Sequence, residues 1–190
     1  MRARDWVWDG GRPALDFVNT YRDRKTGGRE LLLQPEDLLE WLGLPEDLPF
    51  GTSPQESAVA GMTMLMEARE LREAICRCLD AAIAGESGFP EPINRWAARR
   101  QPALVQLAPD LSVARLPPAD PVAAALAEIA SDAVELIGGP DLRQVRVCAS
   151  PTCGIRFADR SNAGTRQWCS MKRCGNREKV RLHRARRTDH

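Results

Sequence analysis

Four cysteines near the end of the chain have the spacing of a metal site. Cys148 and Cys153 enclose four residues, fifteen residues follow, and Cys169 and Cys174 again enclose four. Two close pairs joined by a hairpin-sized insert let four thiolates converge on one ion at about 2.3 Å. The pattern predicts one structural zinc ion, because four protein ligands leave no coordination position for water.

Two alternatives to zinc remain open at this point. Iron also accepts four cysteine thiolates, and a redox dithiol usually has C-x-x-C spacing beside a βαβ pattern. Cys76 and Cys78 lie two residues apart in a predicted helix, so their side chains diverge by about 200° and cannot chelate one ion together. We expect these two cysteines to be ordinary core or boundary residues.

The charge of the chain is unevenly distributed. Residues 1–140 contain 14 Lys and Arg against 22 Asp and Glu, a net of −8, whereas residues 141–190 contain 13 against 4, a net of +9. The basic segment around the cysteines attracts polyanions, and the acidic remainder does not. The alternative is a solvated basic tail without a partner.

The cysteine-rich segment is predicted to contain a hairpin and a helix. Residues 155–157 and 166–168 flank a turn-prone stretch, and Ser170 is placed to cap a helix from Met171 to about Arg187. The turn that carries Cys148 and Cys153 (a zinc knuckle), the hairpin and the helix together make a treble-clef-like module. One face of the helix should turn toward the zinc, and it carries Met171, Cys174, Glu178, Leu182 and Ala185.

The rest of this helix is predicted to bind nucleic acid. Arginine contacts phosphates and guanine edges with two hydrogen bonds, and each neutralised phosphate releases counterions. Trp168 either stacks on a base or packs beside the zinc, and we favour packing. The candidate residues are Arg173, Asn176, Arg177, Lys179, Arg181, Arg184, Arg186 and Arg187.

The first 140 residues are predicted to be mainly helical with a small antiparallel β element. Prolines in first turns and glycines at ends mark two helices, and Asp120 is placed to cap a third. Two alternating apolar runs around Pro109 predict a hairpin. The fold class is therefore α+β, with helices expected at 35–42, 54–84, 89–101 and 121–137.

The sequence contains no pattern typical of an enzyme or a membrane protein. The only histidines, His183 and His190, lie in the basic tail, and no phosphate loop or nucleophile motif is present. No stretch approaches the ~18 apolar residues of a membrane span, and the start lacks a secretory apolar run. We therefore expect a cytoplasmic, non-catalytic chain.

Two segments of the chain resemble one known family. Cys174-Gly175-Asn176-Arg177 and the preceding RQWCSMKRC resemble the CGNR zinc finger, over residues 148–187. Residues 15–20, LDFVNT, and 35–41, PEDLLEW, resemble the opening motifs of the ABATE domain, its N-terminal partner in bacterial stress-induced transcription regulators. The C-terminal motif is the more specific of the two.

The resemblance implies a two-part regulator. An ABATE-like domain in residues 1–140 would sense a ligand or partner, and a zinc finger in residues 141–190 would contact DNA. The four cysteines would hold the zinc, and Asn176 and Arg177 would be signature positions near the helix start. Gly175 and Asn176 also have structural interpretations, close packing and loop fastening. An RNA- or ribosome-associated module and a protein-interaction module are the alternatives, and the sequence allows a homodimer without showing an interface.

Asp16 and Asn19 are the candidates for a small-molecule effector site. They are three residues apart and could share a helical face with Asp23. The alternative, which we favour, is that they cap or tie neighbouring backbone.

The zinc is also expected to control folding of the C-terminal module. A fifty-residue segment with few large apolar side chains has too small a core to be stable without a cross-link such as a bound metal ion. Replacing Cys153 with Ser should therefore unfold residues 141–190 and leave the helical region intact.

Overall fold

A computed structural model describes residues 5–188 of the protein, and in its last helix the side chains of residues 176–181 and 184. Within these residues the chain forms six α-helices: α1 (Pro13–Val18), α2 (Pro35–Leu42), α3 (Pro54–Ala84), α4 (Glu91–Ala97), α5 (Pro121–Gly138) and α6 (Asn176–Thr188). None of these helices is long and apolar enough to cross a membrane.

Six short strands in the described residues pair into three separate antiparallel two-stranded sheets. The pairs are β1 (Tyr21–Arg22) with β2 (Arg29–Glu30), β3 (Val105–Leu107) with β4 (Val113–Arg115), and β5 (Val145–Val147) with β6 (Arg156–Ala158). A mainly helical chain with small antiparallel sheets confirms the predicted α+β class.

Local sequence signals set most of the helix ends. The Ser53 hydroxyl accepts the N–H of Glu56 at 3.3 Å, and the Glu56 carboxylate accepts the N–H of Ser53 at 3.2 Å, a reciprocal cap that starts α3. Gly43 and Gly85 end α2 and α3 with φ of 70° and 72°, a conformation that glycine adopts without strain. Asp120 caps α5 through the N–H three residues on, at 2.9 Å. These ends confirm the predicted ones.

Helix α4 is shorter than predicted. We expected residues 89–101, but the helix covers only Glu91–Ala97. Pro92 fits in the first turn, where no N–H partner is needed. Pro102 disfavours a helical conformation at Gln101, so the helix does not reach the predicted end.

Helices α3 and α5 form the centre of the main hydrophobic core, against which α1, α2 and α4 pack. Asp132 of α5 fixes the start of α1, since its carboxylate accepts the N–H of Ala14 at 2.9 Å and the Arg12 guanidinium at 2.8 Å. The fully buried side chains of this core include Leu15, Phe17, Leu38, Leu65, Leu71, Ile75, Leu79, Leu126 and Leu136.

The hairpin of the C-terminal module differs from the predicted one. We expected residues 155–157 to pair with 166–168, but β6 pairs with the preceding β5. Residues 166–168 form no strand. They contact the start of the module through one backbone hydrogen bond, from Ala149 N–H to Gln167 C=O at 2.8 Å.

The Asp159 carboxylate explains this difference. It accepts the backbone N–H of Ser161 at 3.0 Å and that of Arg166 at 2.8 Å. The turn-prone stretch therefore closes on a side chain, as an Asx-type turn, and does not need a strand pair across it. This loop leaves β6 available to pair with β5.

The second edge of β6 is closed by the side chain of Asn19, at the end of α1. Its amide oxygen accepts the N–H of Arg156 and its amide nitrogen donates to the C=O of Arg156, both at 2.9 Å. Beside this pair, Ala158 N–H donates to Gly10 C=O at 2.8 Å. A buried side-chain amide thus takes the place of a neighbouring strand, and the N-terminal region covers the edge of the C-terminal hairpin.

Ionic contacts strengthen the same junction. The Arg156 guanidinium, 8% exposed, lies 2.6 Å from the Asp80 carboxylate of α3. Lys25 donates its ammonium to the carbonyls of Cys148 and Ser150, at 2.5 and 3.1 Å. The module therefore packs closely against the helical region.

We predict that Asn19→Ala destabilises the protein by about 2–4 kcal/mol, because it leaves both backbone groups of Arg156 buried without partners. Urea unfolding followed by circular dichroism measures the change. Asn162→Ala, at an exposed position of the C-terminal loop, is the control and should change stability by less than about 0.5 kcal/mol. Equal effects of the two substitutions would contradict the role given to Asn19.

Candidate metal centre

The structure brings the four predicted cysteines together. Their sulfur atoms all lie within 4.8 Å of one another, with Cys153 and Cys169 at 3.9 Å and Cys169 and Cys174 at 3.6 Å. Tetrahedral zinc with bonds of about 2.3 Å separates its sulfur ligands by about 3.8 Å. All four side chains are buried. The cluster fits one structural zinc ion, as the spacing predicted.

Two turns position the sulfur pairs. Cys148 and Cys153 lie in the connection between β5 and β6, and Cys148 directly follows β5. Cys174 lies in a single wide turn, Met171–Gly175, that leads into α6. The N–H groups of Cys174 and Gly175 both donate to the carbonyl of Ser170, at 2.9 and 3.0 Å. Ser170 occupies the predicted cap position, but its carbonyl rather than its hydroxyl holds the turn.

Donors around the cluster offset its negative charge. The backbone N–H groups of Ser150 and Cys169 point to the Cys148 sulfur, and the Arg177 guanidinium lies 3.6 Å from the Cys174 sulfur. Burial raises the pKa of the Cys174 thiol to about 11, so the protein alone favours a proton there. A bound cation supplies the compensation that four adjacent thiolates require.

Glu178 ties α6 to the first cysteine pair. Its carboxylate is buried and accepts the Arg181 guanidinium at 2.7 Å and the Ser150 hydroxyl at 2.8 Å. The hydrogen bond from Arg181 lowers the pKa of the Glu178 carboxyl most, and the bond from Ser150 lowers it further. Cys174 and Glu178 confirm the predicted inner face of the helix, but Met171 does not belong to it, since it precedes α6 and is 48% exposed.

Gly175 and Trp168 pack beside the metal site. A Cβ atom on Gly175 would lie 2.5 Å from Met171 Sδ and 3.1 Å from the Trp168 ring, so the close-packing interpretation of this glycine is correct. Trp168 is half-buried against the cysteine cluster, as favoured from the sequence. Leu182 and Ala185, also expected on the inner face, lie outside the described side chains.

Two of the predicted nucleic-acid contacts bind other segments of the protein, and a third pairs within α6. Arg173 is half-buried and lies 3.2 Å from the Asp5 carboxylate and 3.7 Å from that of Asp9. Arg177 donates to the hydroxyls of Ser150 and Thr152, each at 3.3 Å. Arg181 pairs with Glu178. The arginine stripe predicted from the sequence thus serves partly to fasten the module.

The outward face of α6 is formed by other residues. At 100° per residue, Asn176 and Val180 lie opposite the buried Glu178, and Lys179 and Arg184 flank them on either side. These four side chains are all exposed. The side chains of the remaining candidates, Arg186 and Arg187, lie outside the described residues. Asn176 makes no side-chain hydrogen bond within the described residues, so the structure gives no support to its loop-fastening interpretation.

The two effector candidates do not form a ligand site. Asn19 is 2% exposed and its amide is bonded at both ends to the Arg156 backbone. Asp16 accepts the N–H of Gly10 at 2.8 Å, and Asp23 lies beyond the end of α1. The backbone-tying interpretation therefore describes both residues.

The pKa of Asp16 is raised to about 6, because the carboxyl is largely buried. Between the unfolded value of about 4 and this folded value, the native state binds more protons than the unfolded state, so this carboxyl lowers stability as pH rises. Asp16→Asn keeps the acceptor for Gly10 and removes the titration.

We predict that Asp16→Asn gains about 1–2 kcal/mol of stability over the wild type on going from pH 4 to pH 7, after a discount for the partial exposure of the side chain. Chemical unfolding over that pH range measures the difference. Asn162→Ala, which removes no titratable group from an exposed position, should give a difference that does not vary with pH. A pH-independent effect of Asp16→Asn would exclude the buried titration.

We predict that Cys153→Ser loses the zinc and also loosens α1, because Val7 and Asn19 pack on the module. Zinc per chain should fall well below one, and amide-exchange protection in residues 13–18 should fall by at least about tenfold. Cys78→Ala, which removes a cysteine outside the cluster, should keep one zinc per chain. Wild-type protection of α1 in Cys153→Ser would show that the helical region is independent, as the sequence alone led us to expect.

Comparison with known families agrees with this architecture. Residues 11–140 match the ABATE family, described as "Putative stress-induced transcription regulator", and residues 144–187 match the CGNR zinc finger. No curated protein matches the chain. Because the first match covers well over half of the sequence, and the second covers the residues around the four sulfur atoms, the chain belongs to the ABATE family and carries a CGNR zinc finger.

Proposed function

We propose that this protein is a DNA-binding transcription regulator, and that the outward face of α6 is its DNA contact surface. The observation that carries the proposal is the exposed face of Asn176, Lys179, Val180 and Arg184 on a helix that directly follows the turn holding the zinc ligand Cys174. The regulator family to which the chain belongs supports the same function.

The dimensions of α6 suit the major groove. A helix of thirteen residues is about 20 Å long, and with its side chains it is about as wide as the groove, near 12 Å. Glu178 and Cys174 hold the opposite face against the module, so the exposed face can approach DNA without unfolding anything. The zinc thereby presents the helix as a rigid element.

The exposed residues divide into two roles. Asn176 lies at the N-terminal end of α6, the end that usually reaches base edges in the major groove, and asparagine pairs with adenine through two hydrogen bonds. Lys179 and Arg184 flank it and suit the two phosphate backbones, which fix the protein on the duplex. Arg186 and Arg187 extend the positive charge of the segment toward its end.

The arginines that fasten the module have an indirect role in this proposal. Arg173 and Arg181 are paired with carboxylates of the protein, and a phosphate would have to compete with those pairs. Arg177 lies next to a zinc ligand. We expect Arg177 to act chiefly on the metal site. We assign the main phosphate contacts to Lys179 and Arg184 because both side chains are exposed on the outward face of α6.

We predict salt-dependent binding of the zinc-loaded, full-length protein to random duplex DNA. Fluorescence anisotropy over about 50–200 mM salt should give a linear fall of log affinity with log salt, with a slope near −0.9 for each phosphate contacted. Lys179→Ala and Arg184→Ala should each reduce the slope by about one. Arg95→Ala, an exposed arginine of α4, should leave it unchanged.

Asn176→Ala separates base contact from phosphate contact in the same assay. It should keep the salt slope and reduce the preference for a selected sequence by about 1–3 kcal/mol. A structured RNA of equal length is the competitor in parallel titrations. Tighter RNA binding at equal salt would assign the surface to RNA, and failure of wild-type protein to bind duplex at 50 mM salt would exclude the DNA function.

A further inference from the structure

Three arginines around the β5–β6 hairpin form no ion pair within the part of the chain that the structure describes. Arg143, Arg146 and Arg160 are all exposed. Their guanidinium groups donate only to backbone carbonyls, those of Pro140, of residues 143 and 145, and of Gly11. No carboxylate of the described residues lies within ion-pair distance of them. The three positive charges are therefore available to a partner.

The two carboxylates nearest to these arginines in the sequence bind other groups. Asp141 accepts the guanidinium of Arg12 at 3.0 Å. Asp159 is buried, and its oxygens accept two backbone N–H groups of its own loop, at 3.0 and 2.8 Å. Residues 142–177 contain no acid other than Asp159. The exposed surface that this segment contributes is therefore neutral or positive.

Backbone contacts hold the three arginines close together. The Arg146 guanidinium donates to the C=O of Arg143 at 2.6 Å. The N–H of Asp159 donates to the C=O of Gln144 at 2.8 Å, and Arg160 and Arg143 are the direct neighbours of these two bonded residues. Like charges gathered in this way repel one another, and a polyanion offsets that repulsion. We call Arg143, Arg146 and Arg160 the hairpin patch.

The metal site limits the distance between the hairpin patch and α6. Two strand residues, about 6.6 Å, separate the Cα atoms of Arg146 and Cys148, and the sulfurs of Cys148 and Cys174 lie within 4.8 Å of each other. With the reach of the two cysteine side chains added, the Cα atom of Arg146 lies within about 17 Å of that of Cys174. The major groove is about 12 Å wide, so this separation is comparable with the distance from the groove centre to the bordering backbone plus one arginine side chain.

We propose that the hairpin patch is a second DNA contact, on phosphates that border the groove entered by α6, and this inference rests on the DNA-binding function proposed above. Each guanidinium has five donors, of which the protein uses at most two, and it can bind a phosphate with two hydrogen bonds. The adjoining loop, residues 161–165, has only short, exposed side chains, which permit close approach of a duplex. Because phosphate contacts carry no sequence information, the patch adds affinity and fixes orientation.

Anisotropy titration of the zinc-loaded, full-length protein with random duplex over about 50–200 mM salt tests the proposal. Arg143→Gln, Arg146→Gln and Arg160→Gln should each reduce the salt slope by about one, and the triple variant by about three. Arg115→Gln is the matched control, because Arg115 is an exposed arginine of β4, which precedes the other end of α5. It should leave the slope unchanged, and all variants should keep one zinc per chain.

The outcomes separate the hairpin patch from the function on which it rests. A wild-type protein that does not bind duplex overturns both proposals. A wild type that binds with a salt slope, which Lys179→Ala reduces and the triple variant does not, overturns the hairpin patch alone.

A cleavage probe tests where the loop lies on the DNA. An iron chelate coupled to the exposed position of Asn162→Cys should cut the backbone of bound duplex beside the loop. The reagent couples selectively to the new thiol, since Cys76 and Cys78 are buried and the other four cysteines hold the metal. The same chelate on Gln106→Cys, exposed in β3, should cut no more than free chelate. Absence of cutting from position 162 in DNA-bound protein overturns the proposal.

Discussion

The bonds between zinc and the four thiolates are the constraint on which the C-terminal module depends. Apart from the ligands, its core within the described side chains contains only Val7, Ile155 and Phe157, with Trp168 half-buried at its border. Three or four apolar side chains bury too little surface to offset the ordering of about fifty residues. The metal joins the β5–β6 connection to the start of α6, and in doing so it fixes the helix that we propose binds DNA.

That module is not an independent appendage, because one of its core residues and one of its hydrogen-bond partners come from the other region. Val7 packs on the cysteines, and Asn19 completes the edge of β6. The pairs between Arg156 and Asp80 and between Arg173 and Asp5 add charge complementarity between a basic and an acidic segment. Part of the +9 charge of the module is therefore neutralised by ion pairs within the protein. The charge asymmetry of the sequence therefore contributes to packing between the two segments.

Local chemistry made some parts of this structure predictable. Cysteine spacing identifies the zinc ligands, because coordination geometry restricts the gaps between them. Cap and stop residues such as Ser53 and Gly85 identify helix ends, since each satisfies backbone groups a few residues away. The pairing of β6 was predicted wrongly, because the choice between β5 and residues 166–168 depends on how the Asp159 side chain closes a loop. Lys25 and Asn19 were not predictable as partners of the module, since 123 and 137 residues separate them from the groups they bind.

The periodicity of apolar residues in a strand does not show what those side chains pack against. The alternating apolar residues of 103–116 correctly predict a hairpin, but alternation normally means that one face is buried, and here both strands are largely exposed. Alternation therefore predicts the period of the two strands, but it does not show whether either face is buried within the chain.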